Sequence, residues 1–212
     1  MADIDPVQLA VVILVAGVFM GWYYAALVYS RRLARRIGTE LKRAVVGLGG
    51  TSRIQWFGTT AFRMTTEGAN PPFREFSVTV TLRPREMPIN WAIATAQGRR
   101  DTALVEASLR KDPRIGFELI DPQTRVGRRR SNAKATWSQV TLGARERLLS
   151  SDDERGARRI LEGLDPETVD GIAALHVTAG TSPGIAASVS VAPSAASRGI
   201  GAILELAKRL EA

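Results

Sequence analysis

The residues best suited to do chemistry lie between positions 176 and 184. Gly180-Thr181-Ser182-Pro183-Gly184 has the G-x-S-x-G spacing that presents a serine nucleophile on a sharp strand-to-helix turn, and His176 is the single histidine of the chain. Three features argue against a nucleophile here. The residue after the serine must donate its backbone N–H to the oxyanion hole, and Pro183 has none. The following residues, AASVSV, read as a strand rather than a helix. The histidine also precedes the serine, the reverse of the order that goes with this turn. The segment is therefore read as a hairpin turn, and His176 as a packed or surface residue of the strand before it.

Composition removes most other chemistries. The 212 residues include no cysteine, so disulfides, thiolate metal sites and cysteine nucleophiles are excluded. One histidine excludes a His-rich zinc site and a two-His facial triad. There is no Gly-Lys dipeptide for a Walker A phosphate loop, and the glycines at 47–50 do not follow a strand as a dinucleotide fingerprint requires. The acids Asp152, Asp153 and Glu154 are explained by a helix N-terminus, which attracts negative charge without any metal. No catalytic, cofactor-binding or metal-ligating residue is assigned and no cofactor is expected. The chain reads more readily as a non-enzyme than as an enzyme.

Positive charge is the remaining functional signal. Lys and Arg number 29 against 21 Asp and Glu, a net charge of +8, and arginine outnumbers lysine 25 to 4. Residues 30–48 (SRRLARRIGTELKRAVVGL) hold Arg31, Arg32, Arg35, Arg36, Lys42 and Arg43 against Glu40, a net +5. Beside a membrane such a cluster gains about 1 kcal/mol per basic residue from an anionic leaflet, so these six are candidate lipid contacts. Residues 125–134 carry Arg125, Arg128, Arg129, Arg130 and Lys134 with no acid. This segment is expected to be a loop between strands, with contact to lipid or protein as its functional reading. No aromatic residue interleaves with these arginines, which speaks against single-stranded nucleic acid as a partner.

The elements that would position these residues begin with a membrane segment. Residues 7–29 contain no charged side chain. As a helix they span roughly 35 Å at 1.5 Å per residue, against a bilayer core of about 30 Å. Trp22, Tyr23, Tyr24 and Tyr29 cluster at the C-terminal end, which places the interface nearer Ala25 than Tyr29. Gly17, Gly21 and Ala25 recur every fourth residue and form a smooth ridge suited to close helix–helix approach. The acids Asp3 and Asp5 precede the span and four arginines follow it, so the positive-inside tendency puts the N-terminus outside and the rest in the cytoplasm of a cell (inner) membrane. The acidic start does not suit a cleaved signal peptide.

After the span, Leu33, Ile37, Leu41 and Val45 share one helical face, and residues 47–52 (GLGGTS) read as a hinge. Beyond it, residues 53–66 are rich in aromatic and β-branched types, and residues 75–82 alternate as a half-buried strand, with Asn70-Pro71-Pro72 between the two runs. Residues 102–109 and 115–120 are expected to pair around a turn at 111–114, and 135–142 is a further strand. Residues 84–100 read either as a strand through Met87, Ile89, Trp91 and Ile93 or as an apolar loop dipping into lipid headgroups. Ser151 to Glu154 fits a capping box before a helix to 164. Residues 171–178 and 185–191 form a hairpin, and a last helix runs from 195 to 210.

The expected organisation is a short extracytoplasmic N-terminus (1–6), a transmembrane helix (7–29), a basic juxtamembrane helix with a Gly-rich hinge (30–52) and a cytoplasmic domain (53–212). That domain is of α+β class, an antiparallel sheet with two or more packed helices. The functional expectation is a single-pass, membrane-anchored interaction or assembly module, or an accessory subunit of a membrane complex. Its partners would be membrane lipid and other membrane subunits, or a second copy paired through the transmembrane helix. An anionic-lipid-binding module and a membrane-face enzyme are the alternatives. The Arg-rich, Cys-free composition suits a prokaryotic source.

Overall fold

Nothing between Val7 and Val46 stops a helix, because the glycines there are isolated and no proline occurs. The computed structural model describes residues 6–132, 136–142, 145–180, 182–191 and 195–211. In it one continuous helix, α1 (Pro6–Val46), covers both the apolar run and the basic segment. Its residues 6–25 are all exposed. Further on, Ser30, Ala34, Ile37, Leu41 and Val45 are buried, three or four residues apart on one face. The acidic Asp3 and Asp5 lie outside the described residues.

The rest of the chain is α+β. Its strands are β1 (Thr51–Phe57), β2 (Ala61–Glu67), β3 (Phe73–Thr81), β4 (Thr102–Leu109), β5 (Phe117–Ile120), β6 (Ser138–Leu142), β7 (Arg145–Ser151), β8 (Ile172–Val177) and β9 (Ile185–Ser190). They form one sheet in the order β1-β2-β3-β4-β9-β8-β5-β7-β6, antiparallel at each pairing. The remaining helices are α2 (Pro88–Ala96), α3 (Arg125–Ser131), α4 (Glu154–Glu162), α5 (Pro166–Val169) and α6 (Ala195–Glu211).

Strand alternation divides the sheet into two unlike faces. Phe62, Met64, Phe76, Val78, Val80, Val105, Leu175 and Ala187 point to one side and form the core with α1, α4 and α6. Ile200, Ile203, Leu206 and Ala207 of α6 are fully buried there. On the other side α3 lies against β5 and β8, while β2, β3 and β4 present polar residues. Arg63 donates to Ser77 Oγ at 3.1 Å and to Glu106 Oε2 at 3.2 Å across three strands.

Several expectations are corrected. Residues 47–52 are not a free hinge. Leu48 is buried with the core, Leu48 O accepts from Asn70 N at 2.6 Å, and Thr51 and Ser52 already belong to β1. Gly50 has φ +75°, and a Cβ there would stand 2.3 Å from Glu67 O, so only glycine permits this close approach. Residues 53–66 contain two strands, split by a turn at Gly58, where φ is +71°. Residues 102–109 and 115–120 are both extended but do not pair, because the β8–β9 hairpin lies between them. Residues 84–100 contain a helix, α2, rather than a strand or loop.

Alternation does not reveal strand β7, since Arg147 occupies an inward position that the pattern would assign to an apolar residue. Ser151 ends β7, and the helix cap is Asp153, whose side chain accepts from Gly156 N at 3.0 Å. Glu154 then pairs with Arg158. That guanidinium, and next the Ser138 hydroxyl, hold its carboxyl below the ordinary value.

The direction of α1 across the sheet follows from its contacts. Its C-terminal end meets Asn70, in the β2–β3 loop. Trp22 Nε1 donates to Arg85 O at 3.0 Å, just past the end of β3. The bare part of α1 therefore leaves the sheet at the end marked by the register Phe57–Ala61–Thr81–Thr102–Ser190.

Candidate functional site

That end of the sheet collects most of the residues singled out by charge or exposure. Beside α1 stands α2, whose residues 87–97 (MPINWAIATAQ) contain no charge. Pro88 at the first helical position pre-sets the backbone for a helix. Ala94 turns inward, while Met87, Ile89 and Ile93 are 57, 64 and 50 % exposed. The Trp91 ring lies 5.6 Å from that of Trp22. Below this pair the buried Arg85 donates to Asp101 Oδ2 at 2.6 Å and to Arg83 O at 3.1 Å, and its guanidinium carbon sits 5.5 Å from the centre of the Tyr29 ring. Thr59 hydrogen-bonds Glu86 and ties the β1–β2 turn to the same corner.

Of the six basic residues expected on α1, Arg31 and Arg35 line a groove of about 230 Å³ with Trp56, Gly58 and Thr59. Arg32 and Arg36 are exposed beside them, as are Lys42 and Arg43. The last two lie near the other end of the helix, roughly 26 Å along its axis from Ala25 at 1.5 Å per residue.

The second basic segment is a helix rather than a loop. Thr124 caps α3 by accepting from Gly127 N at 3.0 Å. A Cβ on Gly127 would stand 1.9 Å from Asp121 O, so α3 can lie this close to Asp121 only with glycine there. Arg125, Arg128 and Arg129 are exposed, and Arg125 Nη1 reaches Gln97 Oε1 of the α2 terminus at 3.5 Å. Arg130 is engaged within the fold. It pairs at 2.7 Å with the buried Glu118, whose other oxygen is 4.0 Å from His176 Nδ1. Lys134 lies outside the described residues.

A Cβ on Gly17 or Gly21 would meet nothing within 4 Å beyond the local helix backbone, among the described residues, and Ala25 is exposed beside them. The whole ridge therefore belongs to the bare part of α1.

A polar groove of about 350 Å³ opens at the same end of the sheet, lined in part by Arg100, Asp121, Thr124, Arg145, Glu167, Asp170 and Arg198. Its charges are largely engaged with one another. Arg145 pairs with Asp121 at 3.2 Å. Asp170 lies 3.6 Å from Arg147, which is fully buried and donates to Ile172 O at 2.7 Å and Val169 O at 2.9 Å. Burial pushes the Arg147 guanidinium below its ordinary value, with Asp121 and Asp170 opposing that shift. The Thr124 hydroxyl donates to Asp121 O at 2.8 Å and serves the cap of α3, so it is not poised as a nucleophile.

Ser182 bonds Ser108 at 2.7 Å, and strand β9 follows it rather than a helix. This is the hairpin reading of the G-x-S-x-G segment; Thr181 itself lies outside the described residues. Among the described residues no group of three or more His, Cys, Asp or Glu is placed to hold a metal ion.

The sequence misassigns α2, because Met87, Ile89, Trp91 and Ile93 alternate as in a strand. Strand β1 falls within the extended run expected over residues 53–66, but its pattern does not show that all seven of its residues are exposed, including Ile54, Trp56 and Phe57 at 40, 51 and 47 %. It forms one edge of the sheet. No family model matches the chain, and no curated protein is significantly similar to it.

Proposed function

We propose that this chain is a single-pass, membrane-anchored assembly module, an accessory subunit whose domain is presented to partner chains at the membrane face. The observation that carries the reading is the β1 edge. A seven-residue strand with an unpaired edge and three exposed large apolar side chains is a ready template for pairing with another chain. Sheets that remain alone usually protect such an edge with charge, proline or a covering element. Here the only charge on β1 is Arg53.

The setting supports the same reading. Helix α1 is apolar enough to cross a bilayer, and its bare residues 6–25 span about 30 Å, one hydrocarbon thickness. The arginines that follow favour a cytoplasmic domain in a cell membrane, with the N-terminus outside. Gly17, Gly21 and Ala25 offer a second contact, within the bilayer, to a partner helix or a second copy. Arg31, Arg32, Arg35 and Arg36 stand where anionic headgroups would meet them. Lys42 and Arg43 lie beyond the Debye length of about 10 Å from that layer and contribute little there.

The test is the native mass of the particle released from membranes into nanodiscs. The wild-type chain is expected in a multi-chain particle. Ile54→Lys, at an exposed position, is expected to reduce that association roughly tenfold, an effect of about 1.4 kcal/mol, without lowering the melting temperature. A wild-type particle containing a single copy of this chain and nothing else would overturn the reading.

A further inference from the structure

We infer that α2 is a second membrane attachment, an interfacial helix whose exposed Ile89 and Ile93, with Met87 at its N-cap, enter the boundary between headgroups and acyl chains. The inference rests on the reading of α1 as a membrane anchor and adds what the remainder of that end of the domain does. It starts from level. Trp22 lies in the last turn of the bare section of α1, and the Trp91 ring packs against it, tilted by 57° with the ring centres 5.6 Å apart. Whatever depth α1 fixes for Trp22, α2 shares. With residues 6–25 filling the hydrocarbon, that depth is its edge, where tryptophan rings are favoured.

Chemistry points to the same occupant. Eleven residues, 87–97, carry no charge, and Met87 at the N-cap and Ile89 and Ile93 on the helix are exposed, while Ala94 is buried and Trp91 packs on Trp22. Such a patch in water marks an interaction site. Its C-terminal border is basic, while Glu86, held by Thr59, stands before Met87 at the other end. Arg99 and Arg100 follow directly in sequence, Arg125 touches the α2 terminus, and Arg31 lies in the neighbouring groove. An apolar strip with arginines at its C-terminal rim complements an anionic bilayer surface, with acyl chains beneath and phosphates at that rim. A protein partner would take the apolar strip without requiring this rim or this depth. Two attachments, α1 and α2, would then stop the domain from rotating about the anchor, so that β1 meets its partner in one orientation.

The absence of cysteine makes the test direct. Single cysteines at Val15, Ile89, Ile93 and Lys111 are spin-labelled in the full chain, in nanodiscs of equal parts phosphatidylcholine and phosphatidylglycerol. Collision with oxygen is compared with collision with a water-soluble nickel chelate. Oxygen is expected to dominate at 15, 89 and 93, and nickel at 111, in the turn beyond the other end of β4. If Val15 sits in lipid but 89 and 93 behave as 111 does, α2 is in water, and the inference fails while the anchor stands. If 89 and 93 are shielded from both reagents, protein covers them and the inference also fails. If Val15 itself is outside lipid, the anchor reading fails first.

Discussion

A fragment beginning at Thr51 is expected not to fold, although it contains every strand. The reason is that half of α1 is core. Ile37, Leu41, Val45 and Leu48 are 5, 0, 1 and 8 % exposed and pack with the sheet core that includes Phe62 and Phe76. Burying a large apolar side chain contributes about 1.5–3 kcal/mol, so four contribute about 6–12 kcal/mol. That is comparable to the whole stability of an ordinary domain, about 5–15 kcal/mol. Removing the helix also leaves the inner face of β2 and β3 open to water. A fragment from Ala26 retains all these core contacts and loses, with the bare section, those of Trp22 to Arg85 O and Trp91. In mild detergent the fragment from Ala26 is expected to show dispersed amide resonances and a cooperative melt, and the fragment from Thr51 neither. Cooperative unfolding of the shorter fragment would show that α1 is dispensable to the core.

Arg147→Ala is expected to be the most damaging single substitution in the sheet. The guanidinium is fully buried and donates to Ile172 O and Val169 O, with Asp170 at 3.6 Å. It joins β7 to α5 and the start of β8. Alanine would leave the Ile172 and Val169 carbonyls without their donor and remove the cation beside Asp170, whose carboxylate also faces the polar groove. Leaving a polar group unsatisfied costs about 1–3 kcal/mol, so the two carbonyls together cost about 2–6 kcal/mol. In a domain of this size that lowers the melting temperature by about 10 °C. Arg147→Lys keeps the charge but cannot fork to both carbonyls, so it should fall between the two. The check is a thermal melt of the full chain in nanodiscs; an unchanged melt for Arg147→Ala would show that these contacts add nothing to stability.

The same residue explains part of what the sequence could not show. Alternation revealed β3 and β4 because their inward positions are apolar, whereas the inward position in RERLLSS is filled by an arginine and hid β7. Local pattern also found β8, β9 and α6 to within a residue or two. It could not order the strands. Residues 102–109 and 115–120 are joined by good turn chemistry, yet each pairs elsewhere, since neighbours in a sheet are chosen by packing that involves residues far along the chain. On α1, four-residue spacing identified the face of Ile37, Leu41 and Val45, but spacing says nothing of what covers a face. A short glycine-rich segment then looked like a hinge, when Gly50 is there because Glu67 passes too close for a side chain. The arginines of residues 125–130 were visible as charge; that Arg130 belongs to Glu118 was not.

Each of the functional readings depends on α1 being one rod, fixed in the bilayer at one end and in the core at the other. Hydrogen exchange of the full chain in nanodiscs tests this most directly. The account predicts one unbroken run of slow amides from the bare section through Val46, with residues 30–46 exchanging only as slowly as the central strands β3 and β4. Fast exchange across residues 26–36, with the strands still protected, would mean a flexible joint between anchor and domain and would contradict it.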